Sequence, residues 1–214
     1  MKTFKSSVQI LLIFTIICLS CIGCKSSNNT EANATNTPTT FVTDTTQEST
    51  SNDPIAYYFE NGNSITKEEL LVPINLYNKI CSTGNSTDFT RVYPQKVLDF
   101  FMKSANQESV SDYAAMLFNL YTQIYGENFS MTNSFVTCEP LKNDRLDDFI
   151  SFYADNLDLA ITPEYAFIIT SEFNISYVNE DGAPTTDSDT DYFIVYYYDN
   201  NIYLDYLYID TLDL

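Results

Sequence analysis

Asp187-Ser188-Asp189-Thr190-Asp191, with Glu180-Asp181-Gly182 just before it, sets carboxylates at alternate positions. Alternating carboxylates suit a hard, oxygen-seeking cation, and weak extracellular calcium sites are built on loops of this kind. The EF-hand pattern fails in detail, because Tyr192 stands where the sharp turn needs Gly and Tyr198 where the bidentate Glu belongs. The segment is therefore expected to be a solvated acidic hairpin loop that holds no metal. Asp205, beside Tyr203, is the other carboxylate of interest. A general base needs both geometry and a perturbed pKa, which residue order cannot supply, so Asp205 is expected as a charge on the outer face of a sheet. The chain has no His, and neither Cys81 nor Cys138 belongs to a Cys-x-x-Cys pair. The usual ligand sets for zinc, haem and iron–sulfur centres are missing, and neither a cofactor nor a catalytic residue is expected. In an exported protein the two cysteines could pair, and equally they could be two small buried hydrophobes that never meet.

Covalent chemistry of another kind is written at the N-terminus. Lys2 and Lys5 precede an apolar run from Val8 to Ile22 that Gln9, Thr15 and Ser20 interrupt. That suits a signal peptide better than a bilayer span of about 20 clean apolar residues. Gly23-Cys24 resembles the bacterial lipobox, in which a small residue precedes the cysteine that is acylated and becomes the new N-terminus. Cys18-Leu19-Ser20-Cys21 offers an overlapping second site, but Gly23 is small and the polar tract starts right after Cys24. The expectation is a signal peptide over residues 1–23 and lipid attachment at Cys24. Export and anchoring to the outer face of the cytoplasmic membrane follow, since two acyl chains (palmitate and the like) hold a protein stably where one does not.

From Lys25 to Asp53, 18 of 29 residues are Ser, Thr or Asn. Such a stretch buries too little apolar surface to offset its ordering entropy, so residues 24–53 are expected to be a disordered tether of roughly 30 Å mean reach. Residues 54–214 are long enough for one domain with its own core. They carry 7 Lys and Arg against 25 Asp and Glu, within a chain whose formal net charge is −19. Like charge excludes nucleic acid as a partner, and anionic lipid or wall polymer as a direct one. The lipid bilayer is reached only through the anchor. The Asn-x-Ser/Thr sequons at Asn28, Asn33, Asn85, Asn128 and Asn174 carry no weight in such a protein.

The elements that must position these residues begin with helices. Thr66-x-x-Glu69 has the form of a capping box, and Leu70, Ile74, Tyr77 and Cys81 then share one helical face, which Pro73 either kinks or starts. Pro94 suits the first position of a helix to about Ser104, with Val97, Leu98 and Phe101 apolar. Ser109 or Ser111 caps the next, with Ala114, Leu117, Tyr121, Ile124 and Tyr125 on a face and Gly126 as its stop. Leu146, Phe149, Ile150, Tyr153 and Leu157 form the cleanest stripe. Strands are expected at 130–139 and 165–177, followed by a hairpin of 191–198 and 202–209 around Asp199-Asn200-Asn201. Its first face carries Phe193, Val195, Tyr197, Ile202, Leu204 and Tyr206, the better core. Its second carries Tyr192, Ile194, Tyr196, Tyr203, Asp205 and Leu207, and is expected to be left open as a partner-binding surface centred on Tyr192, Tyr196, Tyr203 and Asp205. Tyrosine suits that role, offering broad apolar contact with a polar tip.

This order of elements predicts an α+β domain with N-terminal helices on one face of a curved antiparallel sheet. Val92-Tyr93-Pro94 with Leu98-Asp99, Ile124-Tyr125-Gly126, Leu146 to Tyr153 followed by Tyr165-Ala166-Phe167, and Phe193-Ile194-Val195 to Ile202-Tyr203-Leu204 resemble Gram-positive lipoproteins whose soluble part is similar to NTF2-like, cystatin-like cone domains. In that family the closing hairpin reads Asp-Gly-Lys-Trp; here Asn200 replaces the Gly, a change a tight turn tolerates, and Ile202 replaces the Trp. The resemblance implies a cone that in some members holds an isomerase or dehydratase pocket, served by Asp or an Asp/His pair with Tyr, and in others is non-catalytic. Lacking His, this chain is expected to be a membrane-tethered, non-catalytic binding or interaction module of the cell envelope, with an envelope protein or a small molecule as ligand. The alternative is a small-molecule-binding or enzymatic domain of the same fold.

Overall fold

A computed structural model describes residues 54–59 and 61–212. The signal peptide, Cys24 and the tether expected over 1–53 lie outside the described residues. The path opens with a short antiparallel hairpin, β1 (Ile55–Tyr58) and β2 (Ser64–Thr66), which the hydrophobic pattern did not announce. Helix α1 (Lys67–Thr83) follows directly. Its start is the expected capping box: Thr66 Oγ1 accepts from the Glu69 N–H at 3.1 Å while Glu69 Oε2 accepts from the Thr66 N–H at 2.8 Å. Pro73 is absorbed within the helix and buried, and Gly84 ends it in the left-handed conformation (φ 68°), where a side chain would be strained. The four-residue α2 (Phe89–Val92) brings two fully buried apolar residues into the core. Helix α3 (Gln95–Ser104) starts behind Pro94, and α4 (Val110–Tyr125) is capped by Ser109 rather than Ser111 and stopped at Gly126.

Four strands then make one antiparallel sheet in sequence order: β3 (Ser130–Pro140), β4 (Tyr165–Val178), β5 (Pro184–Tyr198) and β6 (Asn201–Asp205), with α5 (Asp144–Leu157) between β3 and β4. The β5–β6 turn is Asp199-Asn200, with φ 51° and 61°, the left-handed pair of a type I′ turn, and Tyr198 pairs with Asn201 to close it. In the register set by that turn Val195 faces Leu204 and Tyr196 faces Tyr203, which fixes the two faces as the alternation predicts.

Both faces carry helices. Helices α1 to α4 and the β1–β2 hairpin pack on the face that carries Phe193, Val195 and Leu204. Tyr57 meets Phe167 with ring centroids 5.2 Å apart, and Tyr206 lies between Tyr77 and Phe193 at 5.0 and 5.2 Å. Helix α5 covers the opposite face at the end near the β5–β6 turn, where Phe149 reaches Tyr196 at 5.4 Å. The expectation of helices on one face only is thus corrected. Alternation cannot reveal this, because Phe193 to Tyr196 are four consecutive buried residues and each belongs to one of two cores. Away from α5 the second face is uncovered, and there β4 reverts to an inside–outside pattern, with Phe173 and Ile175 buried while Glu172 and Ser176 are exposed.

The acidic run is corrected as well: Asp187 to Asp191 form part of strand β5, and the connecting loop is the tight turn Asn179 to Ala183. Thr- and Asp-rich sequence is a poor strand former by itself, but a 14-residue pairing with β4 imposes the conformation. β6 pairs only with Ile194 to Tyr198, so among the described residues the rest of β5 is a free sheet edge. Thr190 and Tyr192 have the parity of Tyr198, so their N–H groups point toward that edge. Both are met by carboxylates: the Thr190 N–H donates to Asp189 Oδ1 at 2.8 Å and the Tyr192 N–H to Asp191 Oδ1 at 3.2 Å.

Candidate functional site

Asp205 closes β6 and is 1 % exposed. It is not the outer-face charge expected, because α5 and the C-terminal turn enclose it. Tyr153, one residue of the α5 stripe, donates its hydroxyl to Asp205 Oδ1 at 2.5 Å. The backbone supplies three more donors: Leu207 N–H to Oδ1 at 3.2 Å, and Tyr208 and Ile209 N–H to Oδ2 at 3.0 and 3.3 Å. Asp205 thus caps the turn that ends in a 3₁₀ segment, Ile209–Thr211. Burial drives its pKa up to about 6, against the lowering effect of these four hydrogen bonds. Phenols surround it: burial raises Tyr153, Tyr196 and Tyr93 well above their ordinary value, and the Asp205 charge adds to each. The buried Tyr196 hydroxyl, close to that of Tyr153, has no hydrogen-bond partner of ordinary geometry.

Of the four residues expected to form an open face, only Tyr192 is at the surface, 39 % exposed. Tyr196 is fully buried, Tyr203 is 8 % exposed and Asp205 1 %, so these three lie in the interior and not on an open face. The structure does bring three of them together, since the Tyr196 and Tyr203 rings lie 5.9 Å apart beside the Asp205 cluster. Tyr153, the donor to Asp205, was legible only as an apolar position. A second buried polar group went unread: Asn78 of α1 donates to Asn133 of β3 at 2.5 Å, and Asn133 to Ser171 of β4 at 2.7 Å. Its signal was present in the pattern, since Asn78 follows Ile74 by four on the buried face of α1 and Ser171 interrupts the apolar odd positions of β4.

This arrangement anchors the segment that follows β6. The space between the sheet and α1 to α4 is filled by packed rings, among them Phe89, Tyr93, Phe101 and Tyr113, with centroids 5.0 to 6.3 Å apart. Two shallow depressions, about 450 and 380 Å³, lie on the outer surface of α3 and α4; neither is lined by Asp205, Tyr153 or Tyr196. The thiols are separate and free, Cys81 buried and pushed up to about 12, Cys138 pushed up to about 11, in both cases by burial first. Neither is a ready nucleophile.

Among the described residues no group of three or more His, Cys, Asp and Glu could hold a metal ion. Asp187, Asp189 and Asp191 share one side of a strand, where alternate residues lie about 6.8 Å apart, too far to close on one calcium ion. Calcium titration of the purified protein is expected to show no saturable site tighter than roughly millimolar. A micromolar site abolished by Asp189→Asn would contradict this.

No family model, curated protein or solved structure matches the chain. The described residues define a mixed helix and sheet domain with five helices and a four-stranded antiparallel sheet, and none of those helices is long and apolar enough to cross a membrane.

Proposed function

We propose that the chain is a membrane-tethered, non-catalytic binding or interaction module of the bacterial cell envelope. Acylated Cys24 holds it to the outer face of the cytoplasmic membrane, and its folded part is an NTF2-like cone. The observation that carries the non-catalytic reading is the filled interior: the most perturbed carboxyl, Asp205, is 1 % exposed and spends its acceptor capacity on a turn. The cone reading is supported by helices gathered before an antiparallel meander and by one helix between its first two strands. A second reading, a ligand-binding or enzymatic cone, has one observation in its favour. A carboxyl with a raised pKa next to a tyrosine hydroxyl is the chemistry of a general acid or base.

The anchor is tested by labelling cells with an alkyne fatty acid. The wild-type chain is expected to take up label and Cys24→Ala to lose it; label retained in Cys24→Ala but lost in Cys21→Ala moves the anchor to Cys21. The two readings of the domain separate in a thermal-shift screen of small molecules. A module without a pocket yields no ligand that raises the midpoint by several degrees, whereas binding at 100 times Kd would add about 2.7 kcal/mol. A hit that Tyr153→Phe weakens would favour the second reading.

A further inference from the structure

We infer that the outer face of α4, continued over the α3–α4 link, is a docking groove for a cationic amphipathic helix of a partner protein. The inference names a partner class for the interaction module proposed above and rests on that reading, while the anchor test at Cys24 is independent of it. Its starting point is the composition of α4. Asp112 is the only charged residue among its 16, whereas α5, which also has a face in water, carries five in 14. A helix with one face in a core and the other in water is charged on the second, and a helix that is apolar on both faces is covered on both. The buried face of α4 is Tyr113, Ala114, Leu117 and Tyr121. Its other side carries Asp112, Ala115, Met116, Asn119, Leu120 and Gln123, spaced as a single helical stripe. Of these, Met116 and Leu120 are half-buried and the rest exposed.

That stripe lines the depression of about 450 Å³, and the depression of about 380 Å³ adjoins it, since Gln107 lines both. The Gln107 side chain is held at the junction: its Nε2 donates to the Ala105 carbonyl at 3.0 Å and reaches Met116 Sδ at 3.7 Å. Met102 of α3 thus continues the apolar floor of Ala115, Met116 and Leu120, and methionine adapts readily to the shape of a partner. From Asp112 to Gln123 the stripe rises about 16 Å, three turns, over which a second helix can lay side chains of the same spacing. Charge selects the occupant. Three carboxylates, Asp99, Glu108 and Asp112, line the groove against one cation, Lys103, within a chain whose formal net charge is −19. That field draws cationic segments toward the groove. It also disfavours a second copy of the chain, because a symmetric contact through this face would set the same carboxylates against one another. The helix that fits carries apolar residues at i, i+3, i+4 and i+7, with Lys or Arg on either side of them.

The test is a titration of the full-length, nitrogen-15-labelled chain with a synthetic peptide of about 15 residues, long enough to hold a helix, that places Leu at the stripe positions and Lys elsewhere. A scrambled peptide of the same composition is the control. The amides of Ala115, Met116, Asn119 and Leu120 are expected to shift and saturate with the patterned peptide, while those of the acidic stretches of α5 and β5 stay in place. Met116→Lys is expected to weaken binding about tenfold, as the loss of a central apolar anchor does. Should that variant fail to fold, Asp99→Lys combined with Glu108→Lys, which reverses the charge at the edge of the groove, is expected to weaken it as well. Several results would overturn the groove. The scrambled peptide binding equally well, with shifts spread over α5 and β5, would mean charge adsorption alone. The absence of saturable shifts up to roughly millimolar peptide would mean that a helix does not dock here. Self-association of the unliganded chain through α4, seen by sedimentation and abolished by Met116→Lys, would make the occupant a second copy.

Discussion

Replacing Tyr196 and Tyr203 together by Ser is expected to unfold the domain at room temperature. Both side chains were read from the alternation as members of an open face, and both are in the interior: Tyr196 fully buried between Phe149 and Tyr203, Tyr203 8 % exposed. Truncating a large buried aromatic costs about 3–5 kcal/mol, and here each would also leave a new hydroxyl beneath α5. Two such losses approach the whole stability of an ordinary domain, about 5–15 kcal/mol. Urea denaturation followed by circular dichroism is the check. A folded double mutant with an unchanged midpoint would mean that α5 does not cover this face.

Asp205→Ala is expected to cost about 3–5 kcal/mol, more than most single substitutions. Removing the carboxyl leaves the Tyr153 hydroxyl and three backbone N–H groups facing an apolar void, and each unsatisfied buried group costs about 1–3 kcal/mol, part of which water entering near the surface recovers. Asp205→Asn, which keeps an acceptor and the volume, should lose less than half as much. Tyr153→Phe should be milder still, because it removes one donor and leaves the turn capped. Equilibrium denaturation at a single pH ranks the three, and a loss for Asp205→Ala below about 1 kcal/mol would show that the turn is held by its tyrosines alone.

Much of the fold was legible because the local signals agreed with one another. The Thr66–Glu69 capping box, the Ser109 cap, the Gly126 stop and the α5 stripe each specify their element through contacts within a few residues. What the chain could not disclose was which elements stack. Asp205 reads as an exposed charge because nothing local says that α5, some 50 residues earlier, lies over it and supplies Tyr153. The Asp187 to Asp191 run reads as a loop because its strand conformation is imposed by pairing with β4 rather than by its own preferences. Tyr196 and Tyr203 were placed on their correct side of the sheet. The misjudgement lay in the cover of that side, which is a long-range property. Asn78 and Ser171 show the reverse: polar residues on apolar stripes were visible, and only the third member, Asn133, tells why they are there.

The free edge of β5 bears on how such molecules behave when crowded. An unpaired strand is a template on which a second chain can grow, and fibrils begin on such edges. Here the outward N–H groups of Thr190 and Tyr192 are already claimed by Asp189 and Asp191, and a neighbour bringing the same edge would also bring the same three carboxylates. Two guards, occupied donors and mutual repulsion, depend on one ionised row. Taking the charge from that row, as Asn in place of Asp187, Asp189 and Asp191 would, therefore strips the sheet of the repulsion that protects it against self-assembly.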